Sequence, residues 1–138
     1  MFQLYFLSKF SDFGFLILRV VVGSSYVLHG YPKMTGGGTF TGVLERWTTL
    51  GNLAGAPMMP TFFGFLAAFA EFAGGICLVL GFMTRPMCIL LLGTMLGAMK
   101  YHLGKGDGFS DWSHAAEMAG VFAGLVFMGP GRYSIDKR

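Results

Sequence analysis

Thr61 to Leu80 reads TFFGFLAAFAEFAGGICLVL, a twenty-residue run in which Glu71 is the one charged side chain. At about 1.5 Å of rise per residue, such a run spans about 30 Å as a helix, the thickness of a bilayer's hydrocarbon core. Pro57 and Pro60 precede it and Gly81 follows, so the run carries its own start and stop signals. Outward from it lie three more apolar runs, Phe13 to Leu28, Met87 to Leu103 and Ser113 to Met128. Pro32, Arg85-Pro86 and Gly129-Pro130-Gly131 punctuate them. The pattern predicts an all-α chain, a single domain over residues 1–138 that forms an integral membrane antiparallel four-helix bundle. Its helices are expected at about 13–28, 61–80, 87–103 and 113–128. Three of these are short for a span, which draws their polar ends into the interface.

Residues Thr35 to Pro60 connect the first two helices. They open on Gly36-Gly37-Gly38 and then place Val43, Leu44, Trp47 and Leu50 at helical spacing. A short interfacial helix is expected there, either as a plain amphipathic connector or as a lid over an outward-facing pocket. Gly104 to Asp111 reads as a turn.

Composition agrees with the spans. Of 138 residues, 54% are hydrophobic and 12% charged, and mean hydropathy is +0.60, which excludes an ordinary soluble domain. The net charge of +3 rests on scattered Lys and Arg, so no nucleic-acid footprint is present. Arg19 interrupts the first run and no small-residue cleavage motif follows it, so that run is expected to be a retained helix rather than a secretory signal. Lys9, Arg85, Arg132, Lys137 and Arg138 fall on one side, against Lys33, Arg46, Lys100 and Lys105 on the other. By the positive-inside rule this places both termini in the cytoplasm, the more so if Lys33 and Lys100 belong to a site.

Each apolar run carries an ionisable residue: Arg19, Glu71, Lys100 and Glu117. A charge in hydrocarbon costs several kcal/mol unless it is paired or faces a cavity. At 100° per residue, Arg19 shares its side with Gly23, Tyr26 and Gly30, and Glu71 with Gly64, Ala67, Ala68, Gly74, Gly75 and Leu78. Lys100 falls beside Gly93, Leu96 and Gly97, and Glu117 beside Ser113, His114, Gly120, Val121 and Gly124. Small residues let membrane helices approach, so the charges are expected to face neighbouring helices. Arg19 and Glu71 each lie about ten residues below the outer end of their helix, about 15 Å down, and an ion pair between them follows. Lys100 with Glu117 is a second expected contact, although Lys100 near a helix end can also snorkel. His29, His102 and His114 converge on the outer side.

Several chemistries are excluded. His114-x-x-Glu117 resembles half of a bundle carboxylate-histidine site, but no H-x-x-x-H or second Glu-x-x-His completes it, so no metal is expected and these two remain its weak candidates. Cys77 and Cys88 form no C-x-x-C pair, and there is no G-x-S-x-G, P-loop or dinucleotide fingerprint.

The motifs Arg19-Val-Val-Val-Gly23, His29-Gly-Tyr-Pro-Lys33, Glu71-Phe-Ala-Gly-Gly75 and Leu80-Gly-Phe-Met-Thr-Arg85, with Gly129-Pro-Gly131 and Ser134-Ile-Asp136, together resemble the DoxX family of small bacterial membrane proteins. The resemblance spans Arg19 to Asp136. It implies a four-helix bundle in the bacterial cytoplasmic (inner) membrane, with Arg19, His29, Lys33 and Glu71 as family-type polar positions. Related DoxD-type chains are associated with thiosulfate:quinone oxidoreductase, and other members with redox or oxidative-stress systems.

A quinone head group needs donors for its carbonyl oxygens, a proton relay and an apolar slot. Arg19, Tyr26, His29 and Lys33 are the candidate donors, and Glu71, Glu117, His102 and His114 the candidate relay groups. The chain is expected to bind no covalent cofactor, with quinone as its ligand and a partner subunit as electron source. Two other classes stand beside this reading: a non-catalytic scaffold or assembly subunit whose buried charges fix helix register, and a small-solute binding or transport protein. The Gly stripes leave self-association open.

Overall fold

Helices form wherever the apolar runs carry no internal turn signal, and they reach further than the runs themselves. The computed structural model describes residues 4–55 and 58–136. A 3₁₀ segment, Tyr5–Phe10, leads into α1 (Ser11–Thr35); α2 (Phe40–Leu53) follows a short 3₁₀ turn at Gly36–Gly38. Then come α3 (Pro60–Leu80), α4 (Thr84–Lys105) and α5 (Phe109–Met128). Pro57, Lys137 and Arg138, which entered the punctuation and the charge count, lie outside the described residues.

Pro32 does not end the first helix, as its position led one to expect; it lies within α1, which continues to Thr35. Proline lacks an N–H and so removes one backbone bond, but near a helix end that loss is small. Gly36 then stops α1 in the left-handed conformation, its N–H bonded to the Pro32 carbonyl. Among the described residues, three stretches are long and apolar enough to cross a membrane: Phe6–Thr35, Pro60–Leu80 and Thr84–Lys105. The first half of α5, with Ser110, Asp111, Ser113, His114 and Glu117, is more polar. Large apolar side chains face outward, among them Leu28 at 75% and Phe127 at 83% exposure, as a lipid-facing surface requires.

Packing radiates from α3, which contacts α1, α2 and α4, while α5 lies on α4. The α1–α3 pair is antiparallel and close. A Cβ on Gly23 would lie 2.7 Å from the Gly75 carbonyl oxygen, and one on Gly75 would lie as near the Gly23 oxygen, so only glycine permits this approach. The buried residues of α1 are Arg19, Gly23, Tyr26 and Gly30, the side expected from the sequence. For α3 they include Gly64, Ala68, Glu71, Gly74, Gly75 and Leu78, again as expected.

The other two faces are reversed. α4 buries Thr84, Cys88, Leu91 and Met95, and α5 buries Ala115, Ala119, Phe122 and Leu125. Lys100, Leu96, Gly93, Glu117 and Gly120 are exposed, so the expected Lys100–Glu117 contact is absent. Larger side chains fill the space between α4 and α5, where the apolar cluster around Leu91, Phe122 and Leu125 sits, and the glycine sides turn outward.

The expected short helix is α2, and it is fastened to α3. Thr48 and Thr61 share a hydroxyl hydrogen bond of 2.7 Å, Trp47 stacks edge-on against Phe65 at 4.8 Å, and Gly64 leaves room for the Trp47 backbone.

Candidate functional site

Two polar centres stand at opposite ends of the α1–α3 pair. At the end carrying both termini, Arg19 is fully buried. Its Nη1 donates to the Leu78 carbonyl at 3.1 Å and its Nη2 to the Tyr133 carbonyl. Leu78 belongs to the last turn of α3, the negative end of the helix dipole, and its carbonyl also accepts from the Gly81 N–H at 3.1 Å. The guanidinium there donates to carbonyls rather than to a carboxylate, its Nε has no partner, and the Asp136 charge lies close by.

Opposite chemistry closes the start of α4. Asp136, arriving on the tail after α5, accepts from the N–H groups of Met83 at 3.0 Å and Thr84 at 2.9 Å. Met83 itself offers no side-chain cap and holds a positive φ of 47°, so the carboxylate supplies the cap from a distant part of the chain. Burial pushes the Asp136 carboxyl up, but the Thr84 and Met83 donors and the nearby Arg19 charge outweigh it and hold the group below its ordinary range. Asp136 N–H also bonds the Gly81 carbonyl at 2.8 Å, and Arg132 N–H bonds Asp12 at 2.9 Å. The tail thus crosses the α3–α4 turn and the base of α1.

At the other end, Lys33 Nζ lies 2.6 and 2.5 Å from the two carboxylate oxygens of Glu71. Glu71 is 4% exposed. Gly30 makes this pair: its bare Cα lets α1 settle against the Glu71–Phe72 backbone, one turn before Lys33. Trp47 Nε1 donates to the Lys33 carbonyl at 3.1 Å, so α2 holds the end of α1 in place.

The expected Arg19–Glu71 pair is therefore not formed. Gly30 is level with Glu71, and Arg19 lies eleven residues further along α1, about 16 Å away along the axis. Counting depth from Leu28 put Arg19 too near the outer end, because α1 runs on to Thr35.

Space opens around Lys33 and Glu71. One cavity of about 200 Å³ is lined by Tyr26, His29, Lys33, Glu71, Met95, Ala98, His102, Asp111, His114 and Ala115. All three histidines reach it, as their positions predicted. A second, of about 230 Å³, lies on the α2 side of the same ion pair and shares Lys33, Glu71, Ala98 and His102 with the first. Tyr26 donates to the Met95 sulfur at 2.9 Å. His102 Nδ1 lies 2.8 Å from Asp107, and Lys105 is 3.6 Å from the same oxygen. The His102 bond, with help from Lys105, holds the Asp107 carboxyl below its usual range. With Nδ1 engaged by a carboxylate, Nε2 is the nitrogen left to exchange protons.

The sequence profile of the DoxX family matches residues 14–103. The chain belongs to the DoxX family. It is similar to Inner membrane protein YphA of Escherichia coli (strain K12), 33% identical over 94% of this chain and 97% of that one. It is also similar to Inner membrane protein YqjF of the same organism, 28% identical over 95% of each. With Putative oxidoreductase CatD of Bacillus subtilis (strain 168) it shares 28% identity over 67% of this chain and 62% of that protein. No solved structure matches it. Inner-membrane relatives and three apolar helices make this DoxX chain a bacterial multi-pass membrane protein.

Of the candidate residues, Tyr26, His29, Lys33, Glu71, His102 and His114 meet around the cavity in this DoxX chain. Arg19 and Glu117 do not line it; Arg19 belongs to the far end and Glu117 to an outer face. Among the described residues no three His, Cys, Asp or Glu side chains are grouped as metal ligands, and His114 and Glu117 are not brought to a common site. Asp107 and Asp111 escaped the sequence reading. Asp107 lies five residues after His102 across the left-handed Gly106, a spacing that a turn can close but a helix cannot.

Proposed function

We propose that this DoxX protein is a quinone-interacting subunit of a membrane redox system, and that the head group binds at the Lys33–Glu71 pair. The observation that carries the reading is the placement of that pair: a nearly buried glutamate with its lysine, opening onto cavities lined by three histidines and two tyrosines. Lys33 and a histidine N–H donate to the quinone oxygens. Glu71 accepts the Lys33 charge and, with His102 backed by Asp107, passes protons toward the loop end. Reduction to quinol takes up two electrons and two protons; the protons come along these side chains and the electrons from a partner protein. The name of the Bacillus subtilis relative, an oxidoreductase, agrees with this class of chemistry.

The same reading makes α5 a fourth span, antiparallel to α4, so that α1, α3, α4 and α5 form the bundle. Its polar first half then lies at the loop end, around the site, where Asp111 and His114 face the cavity. Both termini and the Gly81–Met83 turn lie on the cytoplasmic side of the inner membrane.

Titration of the purified protein in nanodiscs with a ubiquinone analogue tests the assignment. Lys33→Met and Glu71→Gln are expected to weaken binding at least about tenfold, the loss of one charge-assisted contact. Glu117→Gln, which lies outside the cavity, is expected to bind as the wild type does. Equal binding by all four proteins overturns the assignment.

A further inference from the structure

Beyond the polar cavities, a third space of about 290 Å³ runs between α3 and α4. It shares Ala54, Ala67, Thr94 and Gly97 with the cavity on the α2 side of Lys33–Glu71, so the two adjoin across these side chains. Its walls are otherwise apolar, and its outer rim carries Phe63 and Ile89, both turned to the surface at 45% and 57% exposure. Two glycines keep it open. A Cβ on Gly93 would meet nothing within 4 Å, and one on Gly97 would meet only the Ala54 Cβ at 3.8 Å. These glycines therefore do no packing inside the fold, unlike Gly23 and Gly75.

We infer that this groove holds the hydrocarbon tail of the ligand whose head lies at Lys33–Glu71, and that the ligand arrives sideways from the bilayer between α3 and α4. The inference rests on the head-group reading above and adds to it the class of ligand, an amphipathic molecule with a flexible apolar chain, and its route. The direction of the groove supports the assignment. Along α4 it runs from Gly97, which also lines the polar cavity, to Ile89, eight residues and about 12 Å further from the loop end. A ligand with its head at Lys33–Glu71 thus has an apolar wall beside it that opens to the surface past Phe63 and Ile89. A second copy of the chain is a poorer occupant, because a helix is about 10 Å across and over the same length needs about three times this volume.

The gain from the tail is packing rather than escape from water, since the surrounding lipid is equally apolar. Filling the groove should therefore act on tailed ligands alone. Binding of a tailless ubiquinone analogue and of a prenylated one is measured on the full chain in nanodiscs, for wild type and Gly93→Leu, a position that lines the groove and neither polar cavity. The leucine variant is expected to weaken the prenylated quinone about tenfold, the scale of an overpacking cost, and to leave the tailless one within about twofold. If both quinones bind the variant as they bind wild type, or weaken equally, the tail groove is wrong and the head-group reading stands. If neither binds the wild type, both fall together. If the leucine variant changes the oligomeric state with quinone binding unaltered, the groove belongs to another copy of the chain and the inference is wrong. Should the leucine variant misfold, a prenylated quinone with a photoreactive tail decides on the wild type. Cross-links at Phe63–Ala67 and Ile89–Gly97 support the groove, and cross-links elsewhere overturn it.

Discussion

Arg19 and Lys33 are cations on one helix, both on the side that packs against α3, and they have opposite fates. Arg19 donates to backbone carbonyls from the end of α3 and from the tail, while its Nε is buried without a partner. Lys33 is satisfied by one carboxylate, itself ionisable, at the junction of two cavities. Carbonyls cannot take up or release protons at ordinary pH, so the hydrogen-bond partners of Arg19 stay as they are when a ligand or proton arrives. A lysine–glutamate pair can be opened by a competing donor or acceptor, so the Lys33 end can do chemistry. Burial of a charge alone does not separate structure from function; the nature of its partner does.

Breaking the Arg19 end should have the larger effect on the fold. Arg19→Met keeps the apolar stem but removes the guanidinium, taking one donor from the buried Leu78 carbonyl and the donor from the part-buried Tyr133 carbonyl. A loss of about 3 kcal/mol or more is expected, read as a lower unfolding temperature in detergent. Arg19→Lys should restore only part of it, because a single ammonium cannot span both carbonyls. An unchanged unfolding temperature would erase the distinction between the two ends.

The Lys33 end should break differently. Lys33→Met leaves Glu71 buried without its cation and is expected to cost about 2 kcal/mol, less than a fixed charge would because the carboxyl can take up a proton. Lys33→Met with Glu71→Leu should recover most of that stability while remaining unable to bind a quinone head group. If the double substitution is as unstable as the single one, the pair is structural in the way Arg19 is.

A smaller effect is expected at Asp136. Asp136→Asn should cost about 1 kcal/mol, a typical helix cap. Its pH dependence has a definite sign. The folded carboxyl ionises at a lower pH than the unfolded one, so its contribution is complete above the unfolded value and is lost as pH falls through the folded value. Unfolding scans from neutral to acid pH should show a loss in the wild type that the asparagine variant lacks.

How much of this could be read in the residues depended on what kind of partner each residue has. The sides of α1 and α3 were legible, down to Arg19, Gly23, Tyr26 and Gly30, because glycines there mark helix contact. The same rule misled on α4 and α5, where Leu91, Met95 and Phe122 make the contact and Gly93 and Gly97 border a groove. The three histidines were placed correctly because helix ends set their depth. The true partner of Arg19 was not legible, since a carbonyl has no signature in a sequence and Tyr133 is 114 residues away. Lys33 with Glu71 was hidden by Pro32, which looked like a terminus and proved to be an interior residue of α1.

The tail that reaches Arg19 also sets an order of events in biogenesis. Chains are made from the N-terminus, so α1 enters the membrane long before Tyr133 and Asp136 leave the ribosome. Until they do, Arg19 lacks one of its two acceptors and α4 lacks its cap. Residues 133–136 therefore act as a clasp that closes late, and a chain cut before Tyr133 keeps a buried guanidinium in its first helix with one acceptor in place of two.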